Sequence, residues 1–202
     1  MADFDRALEL NSNYETAIVS RARTYRRIAK YDAALADFNR ALKLAPNDTW
    51  ILTNIGITYR QMKQYDKALE SFNKALKVKL DDTWAIKNRG ATYAEIERYS
   101  DAIIDFDRVL TFDSEDIWAI TGRGLTYYKA KQYENALSEF NRVLELNSSY
   151  EWAIGNRART YRRMGQYENA LKDFTRTIEL TPNDDWGFAN RGITYRLIGQ
   201  YD

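Results

Sequence analysis

Cysteine and histidine are both absent from this sequence of 202 residues. Without cysteine, the chain has neither a disulfide nor a thiolate metal site. Without histidine, it lacks the commonest general base, the commonest metal ligand and the usual pH-sensitive side chain. The carboxylates occupy positions typical of helix caps and surfaces, and none is spaced like a catalytic pair. We therefore predict that the protein is not an enzyme and that it has no metal or other cofactor.

The sequence also lacks a charge imbalance and a long hydrophobic run. Its formal net charge is +1, from 30 basic and 29 acidic residues, which gives no overall field to attract nucleic acid or an anionic membrane. No run approaches the roughly 18 apolar residues of a membrane span, and the stretch MADFDRALEL is too acidic for a signal peptide. The composition predicts a folded, soluble protein, and the missing cysteine and signal favour the cytoplasm.

Proline occurs only at Pro46 and Pro182, which are 136 residues apart. The heptapeptide RARTYRR occurs twice at the same separation, at Arg21–Arg27 and at Arg157–Arg163. The segments that precede the two copies, NSNYETAI and NSSYEWAI, are also similar. Because this separation is four times 34, duplication of a block of four 34-residue units explains all three observations.

Aromatic residues are abundant, and most of them recur every 34 residues. Aromatic side chains are the largest packing groups of a chain, so this spacing indicates regularly repeated copies of one packing unit. Four series keep the spacing: Trp50, Trp84, Trp118, Trp152 and Trp186; Tyr25, Tyr59, Tyr93, Tyr127, Tyr161 and Tyr195; Tyr31, Tyr65, Tyr99, Tyr133, Tyr167 and Tyr201; and Phe4, Phe38, Phe72, Phe106, Phe140 and Phe174.

Each unit contains two segments with the periodicity of an amphipathic helix. Ile55 and Tyr59 share one face of the segment TWILTNIGITYRQM, and Leu69 and Phe72 share one face of YDKALESFNKALKV. The polar pair KQ between the segments predicts a short connection. Neither helix buries its apolar face alone, so successive units must stack. The predicted N-caps of the first helices are Asp48, Asp82, Asp116 and Asp184.

A helix–turn–helix of 34 residues with a small residue, Tyr, Ala, Phe and Ala at fixed offsets resembles the tetratricopeptide repeat. In one unit these residues are Gly56, Tyr59, Ala68, Phe72 and Ala75. The resemblance implies an all-α fold, a right-handed α-solenoid superhelix of helix–turn–helix units. With the small residue numbered as position 8, we assign a partial repeat at 1–14, complete repeats at 15–48, 49–82, 83–116, 117–150 and 151–184, and a partial repeat at 185–202, in one continuous solenoid domain.

Arginine at position 7 departs from the family pattern, in which leucine is common. A half-buried arginine needs a partner, and position 23, on the second helix, carries an acid in the complete repeats that have this arginine. Where position 7 is Ile55, position 23 is Ser71, so the acid and the base are absent together. We predict an ion pair between the two helices of each such repeat: Arg21–Asp37, Arg89–Asp105, Arg123–Glu139 and Arg157–Asp173.

The resemblance also implies a ligand-binding surface, because the first helices of this family line a concave groove and expose positions 2, 5, 9, 12 and 13 there. Arginine and tryptophan, which are favoured anchors of binding surfaces, recur at these positions. Packing is an alternative role for the tryptophans, and solvation is an alternative role for the arginines. The candidate ligand-binding residues are Arg23, Arg26, Arg27, Trp50, Arg60, Trp84, Lys87, Trp118, Tyr128, Trp152, Arg159, Arg162, Arg163 and Trp186.

Three classes of function are compatible with these features. The first, which we favour, is a non-enzymatic protein-interaction scaffold whose groove binds a peptide segment, with acidic, phosphorylated or C-terminal carboxylate ligands suited to the arginines. The second is a sensor or regulatory segment of a larger multidomain signalling protein, because neither end carries a polar capping helix. The third is RNA binding by arginine and stacked aromatic residues, against which the near-zero net charge and acidic residues such as Glu95 argue.

The two terminal segments predict head-to-tail self-association. The first segment begins within a second helix, and the last ends just after a first helix. When the ends of two molecules stack, they complete one repeat between them and give an open, filament-like contact. The apolar residues predicted for this contact are Ile193, Tyr195 and Ile198 at one end and Phe4, Ala7 and Leu8 at the other.

Overall fold

The computed structural model describes residues 1–183 and 185–199. The predicted N-cap Asp184 and the last tyrosine, Tyr201, lie outside the described residues. These residues form twelve α-helices and no strand, which confirms an all-α fold. The helices are α1 (Ala2–Leu10), α2 (Glu15–Arg27), α3 (Tyr31–Leu44), α4 (Thr49–Gln61), α5 (Tyr65–Val78), α6 (Thr83–Glu95), α7 (Tyr99–Phe112), α8 (Ile117–Lys129), α9 (Tyr133–Leu146), α10 (Glu151–Arg163), α11 (Tyr167–Leu180) and α12 (Asp185–Leu197).

Two compact units divide the chain, Met1–Ile96 and Glu97–Asp202, with the boundary between α6 and α7. In the first unit, α3 packs against α2 and α4, and α5 packs against α4 and α6. In the second unit, α9 packs against α8 and α10, and α11 packs against α10 and α12. Each of these second helices therefore lies between the first helix of its own repeat and the first helix of the next. This arrangement is the stacking of helix pairs that defines an α-solenoid.

Three first helices begin at an aspartate cap. Asp48 Oδ1 accepts a hydrogen bond from the backbone amide of Ile51 at 2.9 Å, and Asp116 Oδ1 accepts one from Ala119 at 2.8 Å. Asp82 Oδ1 accepts two backbone amide hydrogen bonds, both at 3.1 Å. These bonds satisfy amides that have no partner within the helix and place negative charge at the helix N-terminus. The predicted N-caps Asp48, Asp82 and Asp116 are thereby confirmed.

The turn between the two helices of a repeat contains one residue with a left-handed backbone, always at position 15. In the turn after α4, the amide of Gln64 donates to the carbonyl of Tyr59 at 2.9 Å, which closes the turn around Lys63. Two of the left-handed residues are glycines, which adopt this conformation without a steric cost. The other four are Ala29, Lys63, Glu97 and Lys131, with φ between 57° and 64°.

A phenylalanine at position 24 fills the centre of each repeat. A Cβ atom added to Gly56, at position 8, would lie 2.5 Å from a ring carbon of Phe72, and one added to Gly124 would lie 2.9 Å from Phe140. The ring therefore occupies the space next to the small residue of the first helix, and a larger residue would displace it. The phenylalanines at this position, none more than 1% exposed, are Phe38, Phe72, Phe106, Phe140 and Phe174.

We predict that Lys63→Gly raises the free energy of unfolding by about 0.5–1 kcal/mol. Relief of the left-handed strain at this position exceeds the entropy that glycine adds to the unfolded chain. The control Lys77→Gly, at an exposed position inside α5, is expected to lower the free energy of unfolding by up to about 1 kcal/mol. Denaturant-induced unfolding measures both changes, and a Lys63→Gly protein no more stable than the parent would contradict the prediction.

Candidate functional site

The arginine at position 7 bonds to the acid at position 23 in both units. Arg21 donates through Nε and Nη2 to the two carboxylate oxygens of Asp37, at 2.7 and 2.8 Å. Arg157 donates to Asp173 with the same atoms and distances. The hydrogen bond to Asp37 raises the pKa of Arg21 above its ordinary value. At Arg157 burial is the largest single effect and lowers the pKa, but the hydrogen bond to Asp173 and the charges of Asp173 and Tyr161 together raise it above its ordinary value. These bidentate pairs hold the two helices of a repeat together.

Arg123 meets Glu139 with a different geometry. Its Nη2 atom donates to both carboxylate oxygens, at 2.8 and 2.9 Å, and its buried Nε atom has no hydrogen-bond partner among the described residues. Glutamate is one methylene longer than aspartate, and its carboxylate meets one nitrogen of the guanidinium instead of two. Arg89 and Asp105 lie in different units, so this predicted pair stays a prediction.

The position 7 arginines also bond to position 25 of the preceding repeat, a contact that the sequence interpretation missed. In each case Nη1 is the donor, so one guanidinium joins two repeats. The available signal was position 25 itself, which carries Asp, Asn or Thr in every repeat. The pairs, at 2.5 to 3.2 Å, are Arg21–Asp5, Arg89–Asn73, Arg123–Asp107, Arg157–Asn141 and Arg191–Thr175.

Three arginines predicted for the ligand-binding surface, all at position 12, bond instead to the first helix of the next repeat. Arg26 Nη1 donates to the side-chain oxygen of Asn54 at 2.7 Å. Arg162 donates to the side-chain oxygen of Asn190 at 2.9 Å and to its carbonyl oxygen at 3.0 Å. The third arginine, Arg60, donates to the carbonyl oxygen of the asparagine at position 6 of the next repeat, at 3.3 Å. Burial lowers the pKa of all three guanidinium groups.

The sequence carries a signal for this contact between repeats. Asparagine at position 6 follows each of the three repeats that have arginine at position 12. Where position 12 is Ala94, position 6 of the next repeat is Gly122, so donor and acceptor are absent together. The arginines at position 12 therefore join repeats, and all three are half-buried, which limits their exposure to a ligand.

The tryptophans at position 2 pack on one side and are exposed on the other. Trp50 and Trp84 stack, with ring centroids 6.1 Å apart and an interplanar angle of 21°. The Trp118 ring meets Phe106 edge-on at 6.1 Å. The packing role is thus present in these tryptophans, and the exposed side of each ring leaves ligand contact as a prediction. Among the described tryptophans, those at least 37% exposed are Trp50, Trp118, Trp152 and Trp186.

The other candidates of the first unit lie on its first helices. Arg23 and Arg27 are exposed on α2, and the Arg23 guanidinium carbon lies 5.7 Å from the centroid of the Trp50 ring. Lys87 is half-buried on α6. The Arg23–Trp50 pair is a cation–π contact, worth about 0.5–1 kcal/mol at an exposed site.

A cavity of about 910 Å³ opens on the first helices of the second unit. Its lining includes Trp152 and Trp186, which are 46% and 39% exposed. Gly155 is also part of the lining, and a Cβ atom added to it would lie 2.8 Å from the Trp186 ring. The bare backbone at position 5 of this repeat therefore lets the indole lie against α10. Lys129 and Arg159 contribute two positive charges to the lining.

Tyr128 occupies position 12 of the fourth repeat and organises the arginines beside this cavity. Its ring centroid lies 5.1 Å from the Arg159 guanidinium carbon, and its hydroxyl oxygen accepts a hydrogen bond from Arg163 Nε at 3.3 Å. Asn156 Oδ1 accepts a weak hydrogen bond from Arg159 Nη1, also at 3.3 Å. One tyrosine therefore contacts two guanidinium groups, and the hydrogen bond raises the pKa of Arg163.

The described helices contain no candidate membrane span, because none in residues 1–183 and 185–199 is both long and apolar enough. In the same residues, no three acidic side chains come together as a possible metal site.

The ion pair of the fifth repeat can be tested by replacing it with the uncharged residues that the second repeat has at the same two positions. Arg157→Ile leaves Asp173 buried without its partner and is expected to lower the free energy of unfolding by about 3 kcal/mol. Adding Asp173→Ser reproduces the Ile55–Ser71 combination of the second repeat and is expected to recover more than half of that loss. Denaturant-induced unfolding of the single and double variants measures the coupling, and equal losses in Arg157→Ile and the double variant would contradict it.

Comparison with protein families gives three matches to this chain. The models, each described as a tetratricopeptide repeat, match residues 14–81, 119–150 and 153–184 and together span more than half of the chain. A search of curated proteins found no match.

Three solved structures are similar to this chain over 92% of its length. One from Parabacteroides merdae is 23% identical, with a TM-score of 0.76, over 92% of this chain and 74% of that chain. PilW, described as a type IV pilus biogenesis factor, is 24% identical, with a TM-score of 0.84, over 92% and 86%. YrrB, described as having an unusual peptide-binding site, is 22% identical, with a TM-score of 0.64, over 92% and 96%. The helix pairs and the family matches together show that the chain belongs to the tetratricopeptide repeat family of protein-interaction scaffolds.

Proposed function

We propose that this chain binds a peptide segment in the cavity on the first helices of its second unit. The observation that carries the proposal is the combination of Trp152, Trp186 and Arg159 around about 910 Å³ of space. Tryptophan and arginine are the side chains most often found as binding anchors, and the volume lies in the range of ligand sites. The peptide-binding site named for YrrB, a protein of the same fold, agrees with this proposal.

Among the arginines predicted for ligand contact, those at positions 9 and 13 support the proposal best. Arg23 and Arg27 are exposed on α2, Arg163 is exposed on α10, and Arg159 lines the cavity itself. The arginines at position 12 use their donors between repeats. A substitution at position 12 therefore weakens the scaffold as well as any binding surface, and the test of binding must avoid it.

Peptide-display selection tests the cavity directly. Arg159→Glu and Trp152→Ala, both at side chains that are not fully buried, are expected to lower retention of the selected peptides at least tenfold, because each removes an anchor worth about 1.4 kcal/mol or more. The matched control is Arg23→Glu in the first unit, where the arginine also lies beside a tryptophan. The control is expected to change retention less than twofold.

Circular dichroism and thermal unfolding of each variant exclude loss of the fold as a cause. Peptides that bind Arg159→Glu as well as they bind the parent would contradict the proposed site. Loss of binding in the Arg23→Glu control alone would place the ligand on the first unit instead. Selection of an RNA sequence in a parallel experiment, with no selected peptide, would favour the RNA-binding alternative.

A second candidate function is self-association through α12. Phe188, at position 4 of this helix, is 48% exposed, whereas the residues at position 4 of the other first helices are at most 5% exposed. A Cβ atom added to Gly192 would meet nothing within 4 Å, whereas the glycine at the same position in α4 lies against a phenylalanine ring. Among the described residues, α11 of the preceding repeat is the only second helix that packs against α12, which leaves the opposite, apolar face of α12 open.

The helix α1 of a second copy of this chain fits that open face. Phe4 is at position 24, the position whose ring covers the glycine of a first helix in the other repeats. Asp3 is at position 23, where the first, fourth and fifth repeats place the acid that binds the arginine at position 7. Arg191 is at position 7 of α12 and has no carboxylate partner among the described residues. Shape and charge are thus complementary between the two helices.

Sedimentation velocity over a range of concentrations tests this contact. The parent protein is expected to show a rising sedimentation coefficient, and Asp3→Arg and Arg191→Glu are each expected to abolish the rise through like-charge repulsion. An equimolar mixture of the two variants restores opposite charges at every contact and is expected to restore association. A parent protein that sediments as a monomer at all concentrations would contradict the proposal, and so would a mixture that fails to associate.

A further inference from the structure

We propose that the ligand of the cavity is a phosphorylated peptide, and that Tyr128 positions Arg159 and Arg163 to bind its phosphate group. The inference rests on the proposed function and names the class of ligand. Its basis is the contact of one aromatic ring with two guanidinium groups beside a cavity lined by tryptophan.

The junction between the fourth and fifth repeats is chemically different from the other junctions described. At three other junctions an arginine at position 12 bonds to the asparagine at position 6 of the next repeat, and at the junction after Ala94 both groups are absent. At this junction position 12 is Tyr128, so Asn156 accepts from Arg159 of its own helix instead. Tyr128 thus stands where other repeats have an arginine that bonds to the next repeat. The guanidinium group of Arg159, which belongs to the next repeat, lies on the Tyr128 ring instead.

Arg159 and Arg163 keep most of their donors for a ligand. A guanidinium has five N–H groups, and the described contacts use one from Arg159, to Asn156, and one from Arg163, to Tyr128. Neither arginine forms an ion pair with a carboxylate of the described residues, in contrast to Arg21, Arg123 and Arg157. Neither charge is therefore neutralised by a direct ion pair among the described residues.

The charge of the site favours phosphate over carboxylate. Lys129 and Arg159 line the cavity, and Arg163 contacts the same tyrosine as Arg159. A phosphate monoester carries about −1.5 to −2 charges at neutral pH and three acceptor oxygens, so it satisfies two arginines better than a single carboxylate does. Arginine pairs are the usual means by which proteins recognise phosphorylated side chains.

The remainder of the cavity favours a peptide over a nucleic acid. Glu151 also lines it and repels the further phosphates that a nucleic acid strand would bring. The apolar lining, which includes Leu125, Leu180 and the two tryptophans, suits one large side chain next to the phosphorylated residue. A peptide with a single phosphate and an adjacent apolar residue matches both parts of the site.

Binding of three degenerate peptide libraries tests the ligand class. The libraries share their random flanking positions and differ at the fixed central residue, which is phosphotyrosine, phosphoserine or glutamate. At least one phosphorylated library is expected to be retained about tenfold more strongly than the glutamate library, the effect of about one additional charge-assisted hydrogen bond. Arg159→Gln and Arg163→Gln are each expected to reduce that preference about tenfold.

Tyr128→Phe tests the positioning role, because it keeps the ring under Arg159 and removes only the hydroxyl that accepts from Arg163. It is expected to lower the phosphate preference about threefold, as loss of one weak hydrogen bond would, and to leave thermal unfolding unchanged. Arg163→Lys retains the charge and is expected to restore part of the preference lost in Arg163→Gln. The matched control is Arg27→Gln, an exposed arginine at the same position 13 in the first unit, which is expected to have no effect.

The outcomes separate this inference from the proposed function. Equal retention of the glutamate and phosphorylated libraries, with both lost in Trp152→Ala, overturns the phosphate inference and leaves peptide binding in place. Retention of no library, together with failure of the display selection, overturns both. A random oligonucleotide that competes as well as the phosphorylated library would also overturn the inference, since it would identify a general anion site.

Discussion

The whole structure depends on burial of an apolar face that no single repeat can bury. Where both neighbouring first helices lie in the same unit, the phenylalanine at position 24 is on a second helix that packs between them, and its side chain is at most 1% exposed. Burying a side chain of this size stabilises the fold by about 1.5–3 kcal/mol. Because that contribution needs the neighbouring repeat, stability accumulates along the stack. α12, which packs against α11 but against no other second helix of the described residues, exposes Phe188 instead.

Hydrogen bonds from arginine set the geometry of that stack. The arginine at position 7 bonds to an acid on the second helix of the same repeat and to an acceptor of the preceding repeat. The arginine at position 12 bonds to an asparagine of the following repeat. A planar fork of donors fixes direction as well as distance, which a hydrophobic contact does not. The arginine-rich heptapeptide is therefore largely structural. Arg21 and Arg26 join helices and repeats, and Arg23 and Arg27 remain on the surface.

The fold was predictable from the sequence because helix periodicity, the 34-residue spacing and the aspartate caps all indicate the same helix pairs. Contacts within a repeat were also predictable, since Ile55 and Ser71 depart from the pattern together. Contacts between repeats were not foreseen, although Ala94 and Gly122 depart together in the same way, because the relevant positions lie 28 residues apart and belong to different repeats. The cavity was beyond sequence reasoning. It depends on where the Trp186 ring lies relative to Gly155, which only packing determines.

A binding site in such a repeat protein arises where a structural rule is broken. Asparagine at position 6 and arginine at position 12 bond to each other at several junctions, and these half-buried arginines hold repeats together. At the junction that contains Tyr128, the arginine that would bond to Asn156 is missing, and two other arginines contact the tyrosine without a carboxylate partner in the described residues. The loss of one contact between repeats there leaves uncompensated positive charge beside a large cavity. Under the proposed function, departures from the repeat pattern, and not the pattern itself, are therefore the features of this sequence that specify the ligand.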